Sequence, residues 1–315
     1  MHELTEIMRQ KDDLQFAQLL NRLRENKLTE NDLSVLNSRN LNSSDPHYPS
    51  TATHLFTNNN YVDKFNKRHI DGLKTQKVVV KAFDVVQGHV SSDVKRKLIS
   101  SLPTNPSHTA NLSEELELAV DMKYDFTANV DVNDGLTNGA SCELKMIENR
   151  QKDKTSRPSI VWVKFDDDKI GRSTRMRYSA LYEKNIDKSW TPVFEIKRSF
   201  THRRKTFERI QFPLRPSAAK TIHKSQGCTL DEVVVSLTCR AKTPHIHYVA
   251  LSRVTSLNGL HILDLNPSKI AVSDSVIEEI KRLRSEAVLK LCYKPLYPVG
   301  NDSLKFDPCM LIFTM

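Results

Sequence analysis

Apolar positions near the start fall in a helical rhythm. Phe16, Leu19, Leu20 and Leu23 recur at helical spacing behind Asp12 and Asp13, either of which can cap. A second short helix is predicted after Thr29, with Asp32 placed as in a capping box and Leu33 and Leu36 facing inward. The stretch 37–50 is rich in Asn, Ser and Pro and reads as a loop. A short strand follows at Thr53–Phe56. One of the asparagines Asn58 to Asn60 then caps a helix whose face carries Val62, Phe65 and His69. Strand, turn and helix in that order make one α/β step.

The rhythm then changes to short β-branched runs. Lys77 to Val86 is strand-like, and Leu116 to Val132 reads as one or two strands with Met122 and Phe126 in the core. Asp134-Gly135 and Asn138-Gly139 are turn dipeptides that admit positive φ. Cys142 to Ile147 and Ile160 to Phe165 are further strands, with an exposed loop over Lys152 to Ser159 between them. Closely spaced short strands predict a small β-barrel-like insertion. The last third returns to α/β. Ala218 to Ser225 reads as a short helix, and Val233 to Val235 as a strand covered on both faces. His245 to Arg253 reads as a helix and Leu260 to Leu263 as a strand. A long amphipathic helix is expected over Ser273 to Leu291, with Val276, Ile280, Leu283, Ala287 and Leu291 on one face. No pattern is visible from Lys294 to Met315. The fold class is therefore α/β, a parallel sheet with flanking helices interrupted by a β-rich insertion.

Length and charge sharpen this picture. The 315 residues are enough for about two domains. No window approaches ~18 consecutive apolar residues, and the N-terminus lacks the apolar core of a signal peptide. The five cysteines (Cys142, Cys228, Cys239, Cys292, Cys309) include no C-x-x-C pair, which argues against a zinc ribbon or a disulfide framework. A soluble intracellular protein with no membrane partner and no metal site is expected. The formal net charge is +9 and the pI near 9.2. Most of the excess sits in one window, Ile196 to Gln226, which holds nine Lys and Arg against one Glu. So local a charge points to an anionic partner, phosphates first. Within the window, Phe200, Phe207 and Phe212 either stack bases or pack in a core, and core packing is favoured.

Two segments concentrate the chemistry. In Ala219-Lys220-Thr221-Ile222-His223-Lys224-Ser225-Gln226-Gly227-Cys228-Thr229-Leu230-Asp231, polar and basic side chains precede a glycine that permits close approach of a phosphate. In Tyr248-Val249-Ala250-Leu251-Ser252-Arg253, one arginine ends a half-apolar helix, well shaped for bidentate phosphate contact. These two segments resemble motifs V and VI of superfamily-one DNA helicases, specifically the PIF-type and RecD-type 5′-to-3′ enzymes, including the helicase part of Helitron transposon proteins. With less specificity, Thr53 to Asn66 resembles the motif IV region. Val130 to Gly139 likewise resembles the Gly-Leu-x-Asn-Gly segment that leads into the family's β insertion.

The resemblance implies roles. Arg253 is the expected catalytic residue, an arginine finger reaching the γ-phosphate of ATP. Gly227 and Thr229 join it on the nucleotide side. His223, Lys224, Ser225 and Lys220 are expected on single-stranded DNA, as are Thr57 and Asn58, although an ordinary helix N-cap explains the last two about as well. Arg203 and Arg204, with Arg198, Lys205 and Arg209, would extend the same track. The resemblance also implies ATP and Mg²⁺ in a complete enzyme. It further implies a nuclear, also mitochondrial, location and work in DNA repair, recombination and telomere maintenance.

Departures from the family matter as much. None of the eight glycines precedes Lys-Ser or Lys-Thr, so the chain has no P-loop, and no acidic Walker B pair follows a strong strand. Asp166 to Asp168 falls in the insertion and reads as a hairpin turn. Residues 1–40 are thus expected to be the tail of a first motor domain and a linker, with the N-terminal motor half as a missing partner. Residues 41–75 plus 205–292 would form a RecA-like second motor domain, 76–204 an SH3-like β insertion and 293–315 an irregular tail. Asp121 stands where the family usually has Gly, and Asp125 where it has an apolar residue. A charge on a buried strand costs several kcal/mol if unpaired, so these two suggest local decay. Three functions follow: the C-terminal part of a helicase, inactive in ATP hydrolysis alone; an ATPase-inactive, transposon-derived nucleic-acid-binding remnant; or an interaction module without a nucleic-acid role.

Overall fold

A computed structural model of the chain describes residues 8–285, apart from 43, 47, 150–156 and 239–241. The parts of the expected 152–159 loop, the last expected helix and the 293–315 tail that fall on other residues lie outside it. Helix α1 (Leu14–Arg24) begins where the Asp13 carboxylate accepts the Phe16 amide at 3.0 Å. Helix α2 (Glu30–Asn37) opens on a complete capping box: Thr29 Oγ1 accepts from the Asp32 amide and the Asp32 carboxylate accepts from the Thr29 amide. Arg22 donates twice to Asp32, at 2.6 and 2.7 Å, and holds that carboxyl down at about 2. Strand β1 (Thr53–Phe56) and helix α3 (Asn59–Gly72) follow, with Asn58 as the N-cap.

The chain next builds the insertion. Its elements are β2 (Lys77–Lys81), β3 (Phe83–Val86), α4 (Ser92–Ser100), β4 (Glu115–Ala119), β5 (Lys123–Phe126), β6 (Ser141–Glu148), β7 (Ile160–Lys164), α5 (Arg172–Arg177), β8 (Thr191–Val193), β9 (Ile196–His202), β10 (Lys205–Gln211) and β11 (Leu214–Pro216). It returns as β12 (Ala219–Thr221), β13 (Val233–Ser236), α6 (Ile246–Leu251) and β14 (Leu260–Leu263). Helix α7 (Asp274–Ser285) belongs to a second unit.

Strands β12, β1, β13 and β14 form a parallel sheet in that order. Alternation along β1 sorts its faces. Leu55 joins Val233, Val235 and Ile262 in a core completed by Phe16, Leu19, Leu20 and Leu23 of α1, Leu36 of α2, and Ile246, Ala250 and Leu251 of α6. His54 lies on the other face, its ring stacked 4.1 Å from Phe65 of α3. Residues 13–37 therefore are no linker: their apolar faces complete the core of the parallel sheet. The inserted strands form antiparallel sheets of order β3-β10-β9 and β11-β5-β6-β7-β8, and a β2-β4 pair. The five-stranded sheet and the β2-β4 pair share a core that includes Leu118, Met122, Phe126, Leu144, Val161, Phe212 and, from α3, Ile70. Both β10 and β11 hydrogen-bond within these sheets, so the parallel sheet resumes at Ala219 rather than at 205.

Three expectations are corrected here. Ala219–Thr221 is a strand paired to β1, followed by one 3₁₀ turn at His223–Ser225, and not a helix. The local helix preference of Ala-Ala-Lys is worth well under ~1 kcal/mol per residue. Backbone pairing with β1 along one edge, the Asn66 side chain's two bonds to Ala219, and the burial of Ala219 and Ile222 outweigh it. Asp121 lies off the strands, exposed, at φ 65° in the turn between β4 and β5, where a left-handed backbone explains glycine and tolerates Asp. Asp125 is buried on β5 but paired, with Lys220 Nζ 2.8 Å away and Arg215 Nη2 3.8 Å away. The Lys220 approach is off the hydrogen-bonding direction, so charge is what joins the two. Neither aspartate is a defect.

Candidate functional site

The return from the insertion to the parallel sheet is short and fixed. The buried Asn66 side chain of α3 donates to the carbonyls of Pro216 (3.2 Å) and Ala219 (3.1 Å) and accepts the Ala219 amide (2.8 Å). Strand β12 then leads straight into the His223–Ser225 turn. His223 and Lys224 are exposed there. The Lys224 amide donates to Thr221 Oγ1 at 3.4 Å. Partial burial, and then the nearby Arg215, pull the Lys224 ammonium below the usual lysine range. Gly227 follows at φ 87°, with open space where a Cβ would stand.

Helix α6 ends beside this segment. The Leu230 amide donates to the Arg253 carbonyl (2.9 Å), and the Thr255 amide donates to the Leu230 carbonyl (3.0 Å). Those two bonds set Thr229 and Leu230 beside the Arg253 backbone, with Gly227 two residues before Thr229 in the chain. Arg253 folds over its own helix, with Nε donating to the Val249 carbonyl (2.8 Å) and Nη2 to Ser252 Oγ (2.9 Å). Burial, and then the nearby Arg9, lower its pKa. Arg9 donates through Nε to Thr229 Oγ1 (3.1 Å) and through Nη1 to the Ser252 carbonyl (2.9 Å), and Gln10 donates to the Val254 carbonyl (2.7 Å). Arg9 and Gln10 therefore satisfy carbonyls at the end of α6. Nothing local in the sequence marks Arg9, because its partners lie more than two hundred residues away.

Several expected contacts are engaged elsewhere. Lys220 is buried and pairs with Asp125, so it faces no strand of nucleic acid. Ser225 is fully buried and its hydroxyl donates to the Ile222 carbonyl (2.7 Å). Thr57 Oγ1 donates to the Thr238 carbonyl (2.9 Å), and Asn58 accepts the Tyr61 amide as an ordinary N-cap (3.1 Å). Arg209 is buried, held by two 2.7 Å bonds to Asp84 and by Thr109 and the Leu112 carbonyl. Phe207 and Phe212 are fully buried core residues, and Phe200 stacks on Phe207. Arg203 and Arg204 are exposed at the tip of the two-residue β9–β10 turn, both at positive φ. Asp166 to Asp168 leads into the segment before α5 rather than closing a hairpin, and no group of acidic, His or Cys residues among the described residues is arranged to hold a metal ion. No helix among the described residues is long and apolar enough to cross a membrane.

No family model matches the chain. It is 29% identical over 287 residues to the ATP-dependent DNA helicase PIF1 of Danio rerio, covering 91% of this chain and 38% of that protein. It is 48% identical over 77 residues to the PIF1 helicase of Candida albicans, covering 24% of this chain and 8% of that one. The chain thus spans well under half the length of these relatives. Among solved structures, Pif1 helicase from Candida albicans matches with a TM-score of 0.63 and 26% identity, over 88% of this chain and 60% of that one. A Bacteroides Pif1 helicase, in complex with ADP-AlF3 and ssDNA, shares the fold with a TM-score of 0.59 at 21% identity, over 90% of this chain and 57% of that one.

Proposed function

From a chain whose likeness to PIF1-type helicases of superfamily one runs through nearly its whole length, we propose that this is the part of an ATP-dependent 5′-to-3′ DNA helicase that grips single-stranded DNA and supplies an arginine to ATP hydrolysis. The parallel sheet with α1, α2, α3 and α6 is then the second RecA-like motor domain, and the inserted sheets its small barrel-like, SH3-like module. The observation that carries the reading is the joining of the two motif segments through Leu230 and through Arg9, which binds both Thr229 and the Ser252 carbonyl, while His223 and Lys224 stay exposed on the same segment. Arg203 and Arg204 form a second basic contact on the insertion.

ATP fits this arrangement at its phosphate end only. A guanidinium carries five N–H donors, and those of Arg253 beyond its two internal bonds remain for a phosphate oxygen. Bound with Mg²⁺, ATP would supply the phosphate chain whose cleavage drives the motor. Arg253 would hold its terminal phosphate, with Gly227 leaving room for close approach and Thr229 kept in place by Arg9. The P-loop would come from a partner half bearing the other motor domain. A nuclear or mitochondrial place of action and work in repair, recombination or telomere maintenance belong to the same proposal.

Fluorescence anisotropy with a labelled oligothymidylate tests the division of labour. Lys224→Ala should weaken binding about tenfold, the scale of one charge-assisted contact, whereas Arg253→Ala should leave it within about twofold. An Arg253→Ala loss as large as that of Lys224→Ala would falsify the assignment. The alternative, an ATPase-inactive nucleic-acid-binding remnant, is favoured by the way Arg253 folds back onto the Val249 carbonyl and Ser252. It keeps His223 and Lys224 and gives Arg253 no catalytic part. The two readings separate on whether Arg253→Ala abolishes ATP hydrolysis once a P-loop-bearing half is supplied.

A further inference from the structure

Two cations meet one carboxylate at the seam between the insertion and β12, and a third follows in the turn that β12 leads into. Asp125 of β5 pairs with Lys220 at 2.8 Å and meets Arg215 at 3.8 Å, Arg215 standing directly opposite it in the β11–β5 register. Asp125 and Lys220 are both buried and neutralise one another. Arg215 keeps about a third of its side chain exposed (32%), and its 3.8 Å approach leaves most of its donors unengaged. Lys224, exposed one turn beyond β12, forms no ion pair among the described residues. It lies close enough to Arg215 to be destabilised by it, with Asp63 and Asp125 only partly offsetting that repulsion. Arg215 thus meets a carboxylate already committed to Lys220, and Lys224 on the turn that follows has no ion-pair partner of its own among the described residues.

We propose that Arg215 is a nucleic-acid contact, and that Arg215 and Lys224 together clamp one phosphate of a bound strand while Asp125 fixes where the arginine points. The proposal rests on reading the His223–Lys224 turn as a single-strand interface, and it adds the inserted sheet to that interface. A guanidinium suits the role because its planar fork matches two phosphate oxygens, where an ammonium offers a point charge.

The test is the salt dependence of binding of the full chain to a labelled oligothymidylate between about 50 and 200 mM salt. Arg215→Met keeps the apolar stem and leaves the Asp125–Lys220 pair intact, so its unfolding curve should overlay that of the unaltered chain. Its slope of log K against log salt should fall by about 0.7, one single-strand phosphate contact, with about tenfold weaker binding. Arg215→Lys should recover the slope but only part of the affinity. Lys224→Met should lose as much as Arg215→Met, and the double variant less than the product of the two, because a shared phosphate is lost only once. An Arg215→Met chain with unaltered slope and affinity overturns the clamp, as do losses that simply multiply. An unaltered chain that binds no oligonucleotide overturns the single-strand reading along with it.

Discussion

His54 shows how one residue of the sheet is fixed, and by which proton. Its Nδ1 lies 2.9 Å from the Ala52 carbonyl, which can only accept, so Nδ1 carries the hydrogen and Nε2 accepts from the Tyr48 hydroxyl at 2.6 Å. The neutral ring is buried against Phe65, and burial first, then His69, pushes its pKa down to about 4, the Ala52 carbonyl pulling the other way. The unfolded chain takes up this proton near pH 6.5 and the folded one only near 4. The contribution is therefore complete above about pH 6.5 and is lost as pH falls toward 4, amounting to about 3 kcal/mol. Urea midpoints at pH 7.5, 5.5 and 4.5 should fall more steeply for the unaltered chain than for His54→Phe; parallel pH profiles would rule this out. His69 and His247 also have lowered pKa values, first through burial, so a shallower decline should persist in the variant. Single side chains were the least legible part of the sequence. A motif names Lys220 and Ser225 as readily as His223 and Lys224, but only the pairing of β12 decides which of them point inward. Arg9 and Arg215 carry no local signal because their partners are distant in the chain.

At the scale of elements, the β9–β10 ribbon sets charge against backbone. His202 pairs with Lys205, so Arg203 and Arg204 are the whole turn, at φ 47° and 62°. A two-residue turn with both central residues at positive φ favours Asn-Gly, and a side chain such as arginine costs of order 1 kcal/mol at each position. Replacing Arg203-Arg204 by Asn-Gly should therefore stabilise the chain by about 1–2 kcal/mol in urea unfolding, while weakening oligonucleotide binding and flattening its salt slope. A stabilised variant with unchanged binding would remove the tip from the interface. Elements held by local chemistry could be read directly: the capping box at Thr29, the strand Thr53–Phe56, and the all-apolar Val233–Val235. Ala219–Thr221 is not legible as a strand, because three residues are too few to carry an alternating pattern and its partner β1 lies about 160 residues earlier.

For the whole molecule, the completed core and the proposed phosphate contact diverge. Residues 8–272 bury both faces of the parallel sheet, yet Arg253 has no P-loop anywhere in the 315 residues to act upon. The chain alone should show no ATP turnover in a coupled phosphate-release assay; turnover abolished by Arg253→Ala would overturn this domain accounting. The insertion leaves after α3 and returns through Pro216 to Ala219, where Asn66 grips both ends of a two-residue crossing. No flexible linker separates the inserted sheets from the His223 turn. A torque on those sheets, as from a nucleic acid pulling at Arg203 and Arg204, would reach the His223 turn within a few residues and with no slack to absorb it. The seam is thus a stiff transmission joint, and load on the insertion and grip on the strand would be felt together.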